Sequence, residues 1–214
     1  MAPSNTVDSS VIAMVLEQGG YHDLIPIVTA IRAATFSHSE VQISSTPHGT
    51  TQSYLDDLTQ FQKSPRPSIL EERLLDSFCT GLAIYIVTTF PGLDITSRTA
   101  NLATELHSIL DAKETQFCSG IELLLWEVFL GAVAAEIGAM LDLRIYFAEK
   151  VWAVSNTLGL SSWKEAERIL DGIFWLNESL RAECKEVWRM AWHDDTRIAL
   201  PEEEASFAMC RYGI

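Results

Sequence analysis

The feature that most constrains the fold is the apolar stretch 121–141, IELLLWEVFLGAVAAEIGAML. Its length alone would let it cross a bilayer, since about 20 apolar residues suffice. It carries three glutamates, however, and a charged residue near mid-span costs roughly 2.5–3.5 kcal/mol on insertion scales. At 100° per residue, Glu122 and Glu136 lie within about 40° of each other and mark a narrow polar stripe. The stretch therefore predicts the central helix of a helical bundle, and no membrane interaction is expected.

Glu127 lies on another face of this helix, about 140° from Glu122. Its neighbours one helical turn away are all apolar: Leu123, Leu124, Leu130 and Gly131. A carboxyl group in such surroundings is either held by a polar partner or has a raised pKa. One interpretation is a carboxyl group hydrogen-bonded to a hydroxyl or a Trp N–H at a helix interface. The other is a general acid or base that faces an aromatic pocket.

Helical periodicity along the chain predicts an all-α fold, a single multi-helix bundle around 121–141. Further predicted helices are 8–18, 21–35 with a break near Pro26, 69–90, 95–112 and 142–160, with a short amphipathic piece at 54–62. Ser162 and Glu165 have capping-box spacing and predict the start of a last long helix that extends past Trp188. The Ser- and Thr-rich segment 37–53 predicts a mobile loop. The expected organisation is an N-terminal helical segment and loop (1–67), a helical domain (68–192) and an acidic tail (193–214).

Charge and cysteine usage exclude several classes of function. With 15 Lys and Arg against 29 Asp and Glu, the net charge is −14, which disfavours direct nucleic-acid binding. The four cysteines form no CxxC pair and no two histidines are spaced i, i+4, so we expect no metal site. The N-terminus has no basic and apolar signal sequence, and we expect an intracellular protein, cytoplasmic or nuclear, without a cofactor.

A series of residues between 121 and 188 resembles the C-terminal half of the fungal-specific transcription factor domain. That helical regulatory region usually follows a binuclear zinc-cluster DNA-binding domain. The likeness extends over about residues 68–192 and consists of core residues, so it indicates a fold better than an activity. The residues that carry it are Leu123, Leu124, Leu125, Trp126, Gly131, Ala132, Ala134, Arg144, Tyr146, Phe147, Leu158, Gly159, Leu160, Trp163, Glu165, Phe174, Trp175 and Trp188.

The sequence departs from the family pattern in two respects. It contains neither the six-cysteine zinc cluster nor its basic linker, and Glu127 stands where the family has an apolar residue. The resemblance thus implies a regulatory or protein-interaction domain that acts without direct DNA binding. A protein partner or self-association is expected.

The alternative function is that of a cofactor-free enzyme of cyclase or isomerase type, or a small-molecule binder, of fungal specialised metabolism. The candidate catalytic residues are then Glu127, Arg144, Tyr146 and His107. Arg144 has a structural interpretation as well, an ion pair with Asp142 or Glu136. A pocket for a small apolar ligand would be lined by Trp126, Trp152, Trp175 and Phe174, although buried indoles more often only fill a core.

Overall fold

The computed structural model describes residues 24–40, 48–62, 69–90, 95–111, 120–174 and 176–193. These ranges contain eight α-helices and no strand, which confirms the all-α prediction. The helices are α1 (Leu24–Glu40), α2 (His48–Gln62), α3 (Ile69–Thr89), α4 (Ile95–Leu110), α5 (Ile121–Ile137), α6 (Leu141–Thr157), α7 (Trp163–Ile173) and α8 (Glu178–His193). The predicted helix 8–18, the acidic residues 194–214, Cys118 and Cys210 lie outside the described ranges.

Helix α5 is the central helix of the bundle and packs against α3, α4, α6, α7 and α8. Every residue from 125 to 135 is buried, whereas Glu122 and Glu136 are exposed, as the polar stripe predicted. None of the described helices combines the length and the apolarity needed to cross a bilayer.

The central helix is shorter than the predicted range 121–141, because it ends at Ile137. Ala139 has a φ of 54°, and the N–H of Met140 donates back to the carbonyl of Ala135 at 2.8 Å. This turn directs the chain into α6. At Gly138, an added Cβ would lie 2.9 Å from the Cα of Ala100, so the end of α5 packs directly on the backbone of α4.

The N-terminal part is more helical than the sequence predicted. Pro26 lies in the first turn of α1, where its missing N–H removes no intrahelical hydrogen bond, and the helix continues without the predicted break. Residues 37–40 and 48–53, which were expected in a mobile loop, are helical. Leu58 anchors α2 in the core with 2 % of its surface exposed. Burial of one apolar stripe outweighs the weak helix propensity of the Ser- and Thr-rich stretch.

The C-terminal part contains two helices instead of the single long helix that was expected. The predicted capping box is present, with the Glu165 carboxylate accepting from the N–H of Ser162 at 3.1 Å. Phe174, however, adopts an extended backbone (φ −138°, ψ 140°) that ends α7. The Asn177 side chain then accepts from the N–H of Leu180 at 2.8 Å and caps the start of α8. The chain can therefore turn between α7 and α8 without a proline.

Candidate functional site

The indole of Trp126 lies in a buried aromatic cluster formed by α3, α5 and the end of α7. Phe174 stacks on it with ring centroids 5.2 Å apart, and Tyr85 packs on Phe174 at 4.9 Å. Phe78 also contacts Trp126, with ring centroids 5.9 Å apart, and the Arg32 guanidinium lies 6.0 Å from the centre of the Phe174 ring. Two of the predicted pocket residues, Trp126 and Phe174, thus contact each other within the core.

The other two predicted pocket residues are Trp152 and Trp175. Trp152 is half-buried on α6, where it packs at the margin of the core. Trp175 lies outside the described ranges. Of the four aromatic residues predicted to line one pocket, Trp126 and Phe174 are therefore the two that are seen in contact.

Glu127 is buried beside this cluster, with 2 % of its surface exposed. Gly81 of α3 packs against both Trp126 and Glu127, because an added Cβ would lie 3.0 Å from the Trp126 ring and 3.4 Å from Cγ of Glu127. Burial raises the pKa of Glu127 to about 8, and a hydrogen bond from the Ser77 hydroxyl opposes the rise. Oε2 has no hydrogen-bond partner among the described residues. At neutral pH this carboxyl group is therefore mainly protonated, and one hydroxyl holds it in place.

His107 and Tyr146 contact each other between α4 and α6. Their ring centroids are 4.3 Å apart in an edge-to-face arrangement, and Nζ of Lys150 lies 5.3 Å from the centre of the Tyr146 ring. Burial raises the pKa of Tyr146 to about 12, and the charge of Asp111 adds to this. A phenol with such a pKa stays protonated and is a poor general base at neutral pH.

Arg144 has the structural contact that the sequence offered as an alternative role. Its Nε lies 2.7 Å from Oε2 of Glu136, an ion pair between the start of α6 and the end of α5. The candidate catalytic residues thus contact different partners: His107 contacts Tyr146, Arg144 contacts Glu136, and Glu127 contacts Ser77. These contacts describe three local packing arrangements, each at a different pair of helices.

A groove that the sequence did not predict lies between α2, α3 and α4 and has a volume of about 320 Å³. Each of the three helices contributes one stripe at helical spacing, such as Arg98, Asn101, Leu102 and Glu105 from α4. The floor includes the buried residues Leu58, Cys79 and Thr80. Periodicity identifies each stripe separately, but only the packing of three helices shows that the stripes face one another.

Two large apolar side chains are exposed at the start of α6. Leu141 is 65 % and Ile145 49 % exposed, and they lie one helical turn apart on the same face. Among the residues whose side chains the structure describes, the other large apolar side chains are buried or half-buried. An apolar pair at this spacing is what a docking helix presents to a partner.

No family model, curated protein or solved structure matches the chain. The resemblance to the fungal-specific transcription factor domain therefore stays a prediction. Among the described residues, no group of three or more His, Cys, Asp and Glu is placed to hold a metal ion. The side chains of Cys79 and Cys184 are buried in the core.

Several residues that carry the resemblance pack in the core of the bundle. The ring of Trp163 on α7 lies 6.1 Å from Phe129 of α5 and 6.5 Å from Trp188 of α8. Trp188 also contacts Trp192, with centroids 5.3 Å apart. These aromatic contacts join α5, α7 and α8, so this part of the sequence pattern describes helix packing.

Proposed function

We propose that the chain is a regulatory domain that binds a protein partner and does not contact DNA itself, as its resemblance to the fungal transcription factor region implies. The observation that carries the proposal is the exposed pair Leu141 and Ile145 at the start of α6. Apolar side chains one helical turn apart form the contact by which two helices dock. We call this face of α6 the docking face.

Acidic residues flank the docking face. Asp142 and Glu149 are exposed on the same helix, and the Glu136 side chain beside it is 44 % exposed. The two cations on this helix are engaged, since Arg144 pairs with Glu136 and Lys150 lies over the Tyr146 ring. An apolar pair with acidic surroundings is complementary to an amphipathic helix that carries Lys and Arg beside its apolar residues.

The overall charge favours the same kind of partner. At −14 the chain repels nucleic acids and also repels a second copy of itself, whereas it attracts a basic protein surface. Electrostatic attraction of this kind increases the association rate, and the apolar pair slows dissociation. We therefore expect a basic helical partner in preference to a homodimer.

Site-specific photo-crosslinking tests this proposal. A benzophenone amino acid replaces Leu141, and the full-length protein is illuminated in an extract of its source cells. We expect one dominant crosslinked protein, with the crosslink in a Lys- and Arg-rich helical segment. Adding Ile145→Glu to the same protein should abolish the crosslink, and raising the salt concentration should weaken it, because charges screen at high ionic strength.

The same crosslinker at Glu183, an exposed position on α8, serves as the control and should not capture the same protein. Crosslinks that persist in the Ile145→Glu protein would contradict the proposal. A crosslink between two copies of the chain, or a dimer in native mass spectrometry, would instead show that the docking face binds a second copy of the protein.

A second candidate function, a cofactor-free acid–base enzyme, is supported by Glu127, whose pKa of about 8 lies near neutral pH. Glu127 is only 2 % exposed and is enclosed by α3 and the aromatic cluster, so a substrate could not reach it in this arrangement. The protein-binding function is therefore better supported. Native mass spectrometry of the freshly purified protein tests the enzyme. A retained small molecule that is absent from the Glu127→Gln variant would favour it.

A further inference from the structure

We infer that the groove between α2, α3 and α4 binds a small amphipathic monocarboxylate, with the carboxylate on Arg98 and an apolar body along the floor. This site goes beyond the proposed docking function and uses a different part of the molecule. The docking face lies on α6, whereas the walls of the groove come from the three earlier helices.

The size of the groove limits the ligand. A volume of about 320 Å³ lies at the small end of ligand sites in proteins. If each non-hydrogen atom occupies about 30 Å³, as a water molecule does in the liquid, there is room for about ten such atoms. The ligand class is thus a medium-chain or single-ring acid with about ten non-hydrogen atoms.

Apolar side chains from all three helices contact the space where the body of the ligand would lie. Leu55 and Leu58 come from α2, Ala83 and Val87 from α3, and Leu102 from α4. Transfer of an apolar chain from water onto such a surface is favourable in proportion to the apolar area that it buries. The groove therefore favours a ligand with a hydrocarbon body over a wholly polar one.

Arg98 supplies the cation at one end. Both of its terminal nitrogens donate to the single Oε1 of Gln52, each at 3.3 Å, which is longer than a charge-assisted hydrogen bond. Gln52 is a neutral amide and donates in turn to Asp56 at 2.8 Å. A ligand carboxylate offers the guanidinium two charged oxygens in the bidentate geometry it prefers, and so it can displace Gln52.

Glu105 fixes the direction in which the ligand lies. It is seven residues after Arg98 on α4, about 10.5 Å along the helix axis, and it lines the opposite end of the groove. A carboxylate there disfavours a second anionic group on the ligand. The ligand is accordingly a monocarboxylate whose acid group lies at the Arg98 end.

Calorimetric titration of the full-length protein with octanoate tests the site, since octanoate has ten non-hydrogen atoms. We expect saturable binding at one site per chain. Octanamide, its neutral isostere, should bind at least about tenfold more weakly, and Arg98→Gln should reduce octanoate affinity by a similar factor and remove the preference for the acid. Ala83→Phe, which places a ring in the groove, should abolish octanoate binding.

Arg189→Gln is the matched control, because Arg189 is an exposed arginine on α8, and this variant should bind octanoate as the wild type does. Circular dichroism melting curves show that each variant is folded. The inference is overturned if the wild type shows no saturable octanoate binding, if it binds acid and amide equally, or if folded Arg98→Gln retains the wild-type affinity.

Discussion

Gly131 of α5 faces the ring of Phe147 of α6 so closely that a Cβ at residue 131 would lie 2.4 Å from Cε1 of Phe147. The ring is fully buried and also contacts Tyr146 with centroids 5.3 Å apart. The absence of a side chain at 131 is therefore what allows α6 to lie against the central helix. Protein interiors are densely packed, so the surrounding side chains can move only slightly to accommodate an added methyl group.

Gly131→Ala is expected to destabilise the fold by roughly 1–3 kcal/mol, because the added methyl group forces Phe147 or the helix axis to move. Urea denaturation measures the change in the free energy of unfolding. Gly172→Ala on α7 is the control, since nothing lies within 4 Å of its added Cβ, and helix propensity should make that variant more stable by roughly 0.5–1 kcal/mol. Equal effects of the two substitutions would contradict the packing described for Gly131.

Glu127 should make the stability of the protein fall as pH rises. Its pKa is about 8 in the folded chain against 4.5 as the ordinary value, so between these pH values the unfolded chain has released a proton that the folded chain keeps. Each pH unit in this window costs about 1.4 kcal/mol of unfolding free energy, and the loss levels off above pH 8. Below about pH 4.5 the group has no effect.

Urea denaturation of the wild type and of Glu127→Gln from pH 4 to pH 9 checks this. The amide cannot ionise, so the variant should gain stability relative to the wild type with each pH unit across the window. Glu122→Gln, an exposed position on the same helix, should show no such trend. Parallel profiles for Glu127→Gln and the wild type would show that the Glu127 carboxyl group is not held neutral by burial.

Asn177→Ala should destabilise the protein by about 1 kcal/mol, because it leaves the N–H of Leu180 without its acceptor at the start of α8. Thermal unfolding followed by circular dichroism measures the change. Asn156→Ala, at an exposed position near the end of α6, is the matched control and should be close to neutral. If the two variants melt together, the cap does not hold the turn between α7 and α8.

Arg181 connects α8 to α7 through Glu167 and Asp171 and donates to the carbonyl of Leu176 at 3.2 Å. Arg181→Gln should lower the free energy of unfolding by about 1 kcal/mol. The effect is modest because the Arg181 side chain is 29 % exposed and solvent weakens its ion pairs. The loss should shrink at high salt, where ion pairs are screened. Arg189→Gln breaks a pair that is 62 % and 56 % exposed and should change stability little. Denaturation at low and high salt separates the two outcomes.

The stretch 121–141 was sufficient to predict a central helix, because its apolar residues surround the whole circumference and its two exposed glutamates share one stripe. The burial of Glu127 was predictable as well, since the side chains one turn away are apolar. Both features depend on contacts within a single helix, and those are set by 3.6 residues per turn.

Positions where two or more helices meet were not predictable in the same way. No Pro or Gly adjoins Phe174 in the sequence, yet its backbone is extended. This conformation places its ring on that of Trp126, 48 residues earlier, with ring centroids 5.2 Å apart. The helix at 48–53 depends on the burial of Leu58 against α3. In each case the energy of a distant contact exceeds the local preference.

The sequence alone therefore determined the helical class, the central helix and the buried carboxyl group, because helix periodicity and local polarity depend only on residues close together in the sequence. Only the tertiary structure decided where α7 ends, that three stripes enclose a groove beside Arg98, and that Leu141 and Ile145 remain exposed. These properties are set by which helices lie side by side, and that arrangement follows from the packing of the whole core.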